Sequence, residues 1–163
     1  MNNFLTASEC EIYIQLINTN TNNVPFTNNG AFINNKWIDE TLSHNFYNKL
    51  LTYNIEDNIV RPNSVIMTGK YVEGNSFSMH TDTGLYYDRE KKEKTQWTLL
   101  IYLNDDFEGG ETIFYDDEWN ETQIVVPKQG TAILFDIDLW HKANILYKGE
   151  KYWIGCEMIG LMK

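Results

Sequence analysis

The run Trp97-Thr98-Leu99-Leu100-Ile101-Tyr102-Leu103, closed by Asn104-Asp105-Asp106, is a short apolar segment of strand length bounded by turn-forming residues. The same texture recurs at Ser64 to Tyr71, Thr112 to Tyr115, Gln123 to Val126, Thr131 to Phe135 and Tyr152 to Ile159, with Gly, Asp, Asn or charged residues between the runs. Six such runs in the last hundred residues predict a β-rich core.

Upstream of about residue 60 the pattern is helical. Thr6-Ala7-Ser8-Glu9 fits a capping box, and Cys10, Tyr13, Ile14 and Ile17 follow at helical spacing, which predicts an amphipathic helix over 7–18. A second helix is expected from about Ile38 to Tyr53, with Leu42, Phe46, Tyr47, Leu50 and Leu51 on one face and Asp39 and Glu40 in its first turn. The Asn-rich stretch from Asn18 to Asn35, broken by Pro25 and Gly30, reads mostly as loop. Helices followed by many strands give an α+β, mainly β fold class: an antiparallel sandwich or barrel with N-terminal helices buttressing one face. At 163 residues, one domain over 1–163 is expected, with a helical part at about 1–60 and a β core at about 61–163.

The formal net charge of −10 repels phosphate backbones, so no nucleic-acid partner is expected. Arg89-Glu90-Lys91-Lys92-Glu93-Lys94 alternates in sign and reads as a solvated loop. Two cysteines, Cys10 and Cys156, make neither a disulfide framework nor a zinc pattern. The sequence opens without a basic signal region, and no window is long enough to cross a bilayer, so the expected location is cytoplasmic, with no membrane partner.

In His80-Thr81-Asp82 the two polar side chains are two residues apart, so on an extended strand they share a face. His141 follows the apolar run Thr131 to Phe135, a strand that can return beside the first. Two imidazoles and one carboxylate can occupy one face of a six-coordinate Fe(II) and leave the other face open. Structural zinc is disfavoured, because it prefers four closed ligands that often include thiolates. Ten residues after His141 comes Lys151, which either points inward to pair with a dicarboxylate or sits exposed on a strand edge. A charge argument favours the first. Fe(II), one aspartate and one lysine together neutralise a dianionic 2-oxo diacid, and neutral burial is far cheaper than unpaired charge.

From about Val65 to Ile159 the chain resembles the Fe(II)/2-oxoglutarate-dependent oxygenases, most closely the prolyl 4-hydroxylase catalytic-domain type. The resemblance rests on ordered segments: Lys70-Tyr71-Val72-Glu73-Gly74, His80-Thr81-Asp82, Thr98 to Asn104, Gly109-Gly110-Glu111-Thr112, Gly130 to Phe135, His141 and Gly149-Glu150-Lys151. It implies a double-stranded β-helix (jelly roll), with His80, Asp82 and His141 as metal ligands at the catalytic centre. It also implies that Lys151 binds the distal carboxylate of 2-oxoglutarate, that Tyr71 donates to the same cosubstrate or serves as a core aromatic, and that Thr98 lines the cosubstrate pocket. The implied cofactors are Fe(II), 2-oxoglutarate and O₂, with ascorbate as an auxiliary. Thr95 stands where peptide-prolyl hydroxylases commonly carry arginine, and Ile145 where many relatives carry proline. Three functions therefore stay open: a peptidyl hydroxylase, a hydroxylase of a small molecule such as a free amino acid, and a non-catalytic jelly-roll binding module. The long charged stretch from Thr83 to Gln96 is expected either to close over substrate through Tyr86, Tyr87 and Arg89 or to be a solvated loop.

Overall fold

The computed structural model describes residues 1–19, 24–27, 31–55, 58–84 and 86–162, with side chains at 24–27 and 31–35 left aside. The element order is α1 (Ala7–Thr19), β1 (Val24–Thr27), β2 (Ala31–Ile38), α2 (Glu40–Leu51), β3 (Ile59–Val72), β4 (Phe77–His80), β5 (Tyr87–Asp88), β6 (Glu93–Tyr102), β7 (Glu108–Gly109), β8 (Thr112–Tyr115), β9 (Glu121–Val125), β10 (Ala132–Asp136), β11 (His141–Ala143), β12 (Leu146–Lys148) and β13 (Glu150–Leu161).

Both helices begin as their sequence signals require. Thr6 and Glu9 cap reciprocally: the Thr6 N–H donates to Glu9 Oε2 at 2.8 Å and the Glu9 N–H to Thr6 Oγ1 at 3.2 Å. The Asp39 carboxylate accepts from the Leu42 N–H at 2.8 Å at the start of α2. Lys49 and Glu9 join the two helices through an ion pair of 2.6 Å.

The larger sheet runs β1-β2-β3-β13-β6-β10, with β5 paired to β6, and the smaller runs β4-β11-β8-β9; β12 and β7 form a separate pair. All pairs are antiparallel. The fold is thus the expected mainly β jelly roll, built as two sheets; among the described residues they do not close into a barrel. One expectation fails. The stretch Asn18 to Asn35 contains β1 and most of β2, which extend the larger sheet beyond β3. Its polar, Asn-rich composition hid them because an edge hairpin needs little apolar surface of its own.

Strand alternation divides the larger sheet between two tasks. On β6, Leu99, Ile101 and Leu103 just beyond its end pack beneath the helices; on β13, Ile154, Cys156 and Met158 do the same. They form one core with Phe4, Leu5, Cys10, Ile17, Phe46 and Leu50. The intervening residues, Thr98 and Leu100 on β6 and Lys151, Trp153 and Glu157 on β13, face the smaller sheet across a cavity of about 340 Å³. Because side chains alternate with a period of two, each strand serves the core with one set and the cavity with the other.

Candidate metal and cosubstrate site

His80 ends β4 and His141 begins β11, and the two pair directly across the antiparallel ladder. Their ring centroids lie 4.2 Å apart. Asp82 lies just past β4, where its N–H donates to the Ile137 carbonyl at 3.0 Å. That bond turns the carboxylate back on the pair: Asp82 Oδ1 stands 3.5 Å from His80 Nε2 and 3.8 Å from His141 Nε2. One ligand atom from each of the three residues falls within 4.8 Å of the others. Neighbouring ligands of one ion with bonds of about 2.1 Å sit roughly 3 Å apart, so the donors need only close slightly around a first-row divalent metal.

The remaining atoms of the ligands are committed elsewhere. His80 Nδ1 lies 2.8 Å from the Ser78 carbonyl and His141 Nδ1 2.9 Å from the Leu139 carbonyl, a geometry that places the ring proton on Nδ1 and the lone pair on Nε2. Burial lowers the His141 imidazole, outweighing the Asp82 charge, so the ring is neutral and able to ligate. The Thr98 hydroxyl donates to Asp82 Oδ2 at 2.6 Å. Burial would raise the Asp82 carboxyl, but the hydrogen bond with His80, the neighbouring His141 and the Thr98 hydroxyl together hold it below the usual carboxylate range. An ionised aspartate offering one oxygen, together with two imidazole nitrogens, is a donor set that fits Fe(II).

Lys151 is the second part of the site. It lies on β13, a central strand between β3 and β6, so the exposed strand-edge alternative does not hold. It is 2% exposed, and its ammonium donates to the Gly110 carbonyl at 2.5 Å. The rings of Tyr71 and Tyr102 flank it, with centroids 5.3 and 5.4 Å away. Gly110 has φ of +69°, and a Cβ there would meet Lys151 Cδ at 3.2 Å, so glycine both makes the turn and leaves room for the lysine stem. Burial pulls the Lys151 amine down to about 7, with Glu111 pulling weakly the other way. Burial also keeps the Tyr71 phenol protonated, as a donor must be. A buried cation held by one carbonyl and two aromatic faces beside the metal donors fits the distal carboxylate of a 2-oxo diacid.

His80, Asp82, His141, Thr98, Tyr71 and Lys151 all border the one cavity. Thr98 also buttresses a ligand, a role its sequence does not announce. Tyr86, Tyr87 and Arg89 do not border it. The Tyr86 N–H donates to Thr95 Oγ1 at 3.1 Å, its hydroxyl donates to Asp88 at 3.1 Å, and Arg61 lies over its ring at 4.6 Å; Tyr87 is 68% exposed. Much of the supposed lid is therefore a β5–β6 hairpin docked outside the site. Three charged residues of the cavity were missed: Lys36, Lys142 and Glu157, the last on the same face of β13 as Lys151, where two-residue periodicity is the signal that could have found it.

A model of the 2OG-Fe(II) oxygenase superfamily matches residues 66–156. Among solved structures, the viral collagen prolyl hydroxylase of Paramecium Bursaria Chlorella virus-1, in complex with 2OG, is similar at 20% identity and a TM-score of 0.70, covering 100% of this chain and 94% of that one. A Pseudomonas putida prolyl-4-hydroxylase is similar at 13% identity and a TM-score of 0.72, over 100% and 91% of the two chains. The Trichoplax adhaerens prolyl hydroxylase, bound to a hypoxia inducible factor oxygen degradation domain peptide fragment, shows 18% identity and a TM-score of 0.67, over 98% and 82%. No curated protein matches the chain.

Proposed function

Because this chain belongs to the 2OG-Fe(II) oxygenase superfamily, we propose that it hydroxylates an unactivated C–H bond, as a prolyl 4-hydroxylase-like enzyme acting on a peptidyl side chain. The observation that carries this reading is the convergence of three metal donors and a buried lysine on one cavity. Fe(II) with 2-oxoglutarate, when bound, supplies the oxidative chemistry: O₂ gives one atom to the substrate C–H bond and one to succinate, while the C1 carboxylate leaves as CO₂.

The protein's own residues bind, orient and exclude. His80, Asp82 and His141 would hold the metal at the wall of the cavity, each offering one donor atom. Lys151, with its ammonium beside Gly110 and the two tyrosines, would bind the distal carboxylate of the 2-oxo acid and so help to orient it in the cavity. Phe77, Phe135 and Trp153 line the walls with apolar surface, which keeps bulk water away and favours a C–H substrate. Ascorbate enters the proposal as an external reductant that maintains Fe(II).

A second reading, hydroxylation of a free amino acid, is favoured by the Glu157 carboxylate within the same cavity. The test begins with anaerobic titration of metal-free protein with Fe(II) and 2-oxoglutarate, watching for the visible charge-transfer absorption of a chelated 2-oxo acid. The absorption should appear and be lost in His141→Ala. Its absence from folded, metal-loaded protein, or full activity in Asp82→Ala, overturns the oxygenase reading.

A further inference from the structure

The outer face of the smaller sheet, turned away from the cavity, carries an aromatic surface that the proposed chemistry does not use. Both helices pack against the larger sheet. Alternation turns His80, His141 and Phe114 inward and their neighbours outward. On the outward side Ile113 pairs with Lys142 across one ladder and with Ile124 across the other. The Tyr115 N–H donates to the Trp140 carbonyl at 2.9 Å, which sets these two aromatic residues opposite each other. Trp119, in the β8–β9 connection, folds onto Trp140 with ring centroids 4.9 Å apart. Ile113 and Tyr115 are buried, but Trp119 is 56% exposed and Ile124 55%, with Met79 and Val126 open as well. Contiguous apolar surface, unlike scattered single residues, marks interaction sites. Trp119 also has φ of +67°, a conformation that bulky residues rarely adopt and that Asn takes far more easily. The fold thus holds a strained backbone to keep an indole at the surface.

Charge selects the occupant. The connection that carries Trp119 holds Asp116, Asp117 and Glu118, with Glu121 starting β9, and the turn that leads to Trp140 holds Asp136 and Asp138. The ring contact brings these two acidic turns together. Asp116 and Asp136 accept backbone N–H groups of their own turns, and Glu121 accepts the Tyr115 hydroxyl, yet none of the six carboxylates makes an ion pair among the described residues. Against them stands Lys142, whose ammonium lies over the Tyr115 ring at 5.3 Å. A second copy of this chain, with its formal charge of −10, and an anionic membrane would both be repelled. A segment carrying Arg or Lys would be attracted, and its cations can stack on indole faces.

We infer that this face is a docking surface for an apolar segment of a partner protein that bears Arg or Lys, laying its apolar side chains on Trp119 and Ile124 and its cations among the carboxylates. The inference is independent of the oxygenase reading, because the surface lies on the opposite side of the smaller sheet from the metal donors.

The test uses the full chain and three fluorescein-labelled, blocked dodecapeptides in which Leu alternates with Arg, Gln or Glu, read by anisotropy. The Arg peptide should bind about tenfold tighter than the Gln peptide or better, and raising NaCl from about 50 to about 500 mM should weaken it several-fold. Trp119→Asn, which suits the positive φ and changes no charge, should cost about tenfold in affinity. Asp117→Asn combined with Glu118→Gln should weaken binding far more than Glu11→Gln combined with Glu40→Gln, which removes equal charge from the helices. Equal binding of the Arg and Gln peptides, undiminished binding by Trp119→Asn, or equal losses from the two charge pairs overturns the inference. So does sedimentation showing a dimer that Trp119→Asn dissociates, or binding to phosphatidylserine vesicles that the same variant abolishes, since these give the face to a second copy or to a membrane. Circular dichroism reports folding. If Trp119→Asn does not fold, Ile124→Thr takes its place: a several-fold loss supports the inference, and unchanged affinity overturns it.

Discussion

Raising the pH from 6.5 to 8.5 should weaken 2-oxoglutarate binding without touching the metal donors. In the ligand-free protein, burial holds the Lys151 amine at about 7, well below an ordinary lysine. The distal carboxylate of the bound 2-oxo acid favours the ammonium, so the pKa in the complex is higher. Binding therefore takes up a proton wherever the free lysine is neutral. Below about pH 7 the affinity should be flat; above it, the dissociation constant should climb by about tenfold per unit, or about 1.4 kcal/mol, until the pKa of the complex is reached. The assay is anaerobic titration calorimetry of Mn(II)-loaded protein in two buffers of different ionisation enthalpy, which yields both affinity and proton uptake. At pH 8 the uptake should be about 0.9 of a proton. Lys151→Met should bind weakly at every pH and take up none. A constant affinity from pH 6.5 to 8.5, with no proton uptake, would refute the reasoning from burial. The same group sets a stability trend of defined sign. Between about pH 7 and the ordinary lysine pKa the unfolded chain holds a proton that the native chain has lost, so this residue makes the ligand-free protein more stable as pH rises. Below pH 7 both states are protonated, and the penalty for burying the ammonium is present in full.

Thr98→Val removes the hydroxyl that donates to Asp82 Oδ2 at 2.6 Å; metal affinity should fall by about 10–100-fold with the fold intact, as read by competition with a fluorescent chelator. Thr6→Ala breaks the capping box of α1 and should cost about 1 kcal/mol, a lowering of the thermal midpoint by roughly 2–4 °C in calorimetry. Chelating the metal should accelerate amide exchange in β4, whose His80 is linked to β11 through both the ladder and the shared ion, while leaving β13 protected; uniform protection with and without metal would argue that the ion adds nothing to that edge.

What the sequence made legible was local. The capping box and the helical spacing of Cys10, Tyr13, Ile14 and Ile17 forecast α1, and the short apolar runs located the cores of β3, β6, β8, β9, β10 and β13, though β3 and β6 begin several residues earlier than their runs. The alternation of Ile154, Cys156 and Met158 with Lys151, Trp153 and Glu157 contains the two-faced character of β13, though an apolar run scored as a block conceals it. The candidate metal donors could be picked out because His80 and Asp82 stand two residues apart and His141 follows a strand-like run. β4, β5, β7, β11 and β12 were missed because they are only two to four residues long and, unlike the equally short β8, do not form unbroken apolar runs; their pairing partners create them. Thr98 as a support for Asp82 could not be read from a strand alone, since the contact joins positions sixteen residues apart. Tyr86, Tyr87 and Arg89 drew attention by proximity to His80 and Asp82, yet a hairpin register turned them toward Asp88, Arg61 and solvent.

β13 runs through the middle of the larger sheet, locked by neighbours on both sides, and carries Lys151 near one end and Glu157 beyond the midpoint. It therefore acts as a caliper with fixed jaws. The backbone positions of Lys151 and Glu157 cannot approach or separate without tearing a doubly paired strand, so this side of the cavity does not bend to suit molecules of different reach. Adaptation to a longer or shorter guest must come from the smaller sheet opposite, where β4 is a four-residue edge, and the side chains that set the length of what fits are consequently those of Phe77 and its neighbours rather than those of the caliper itself.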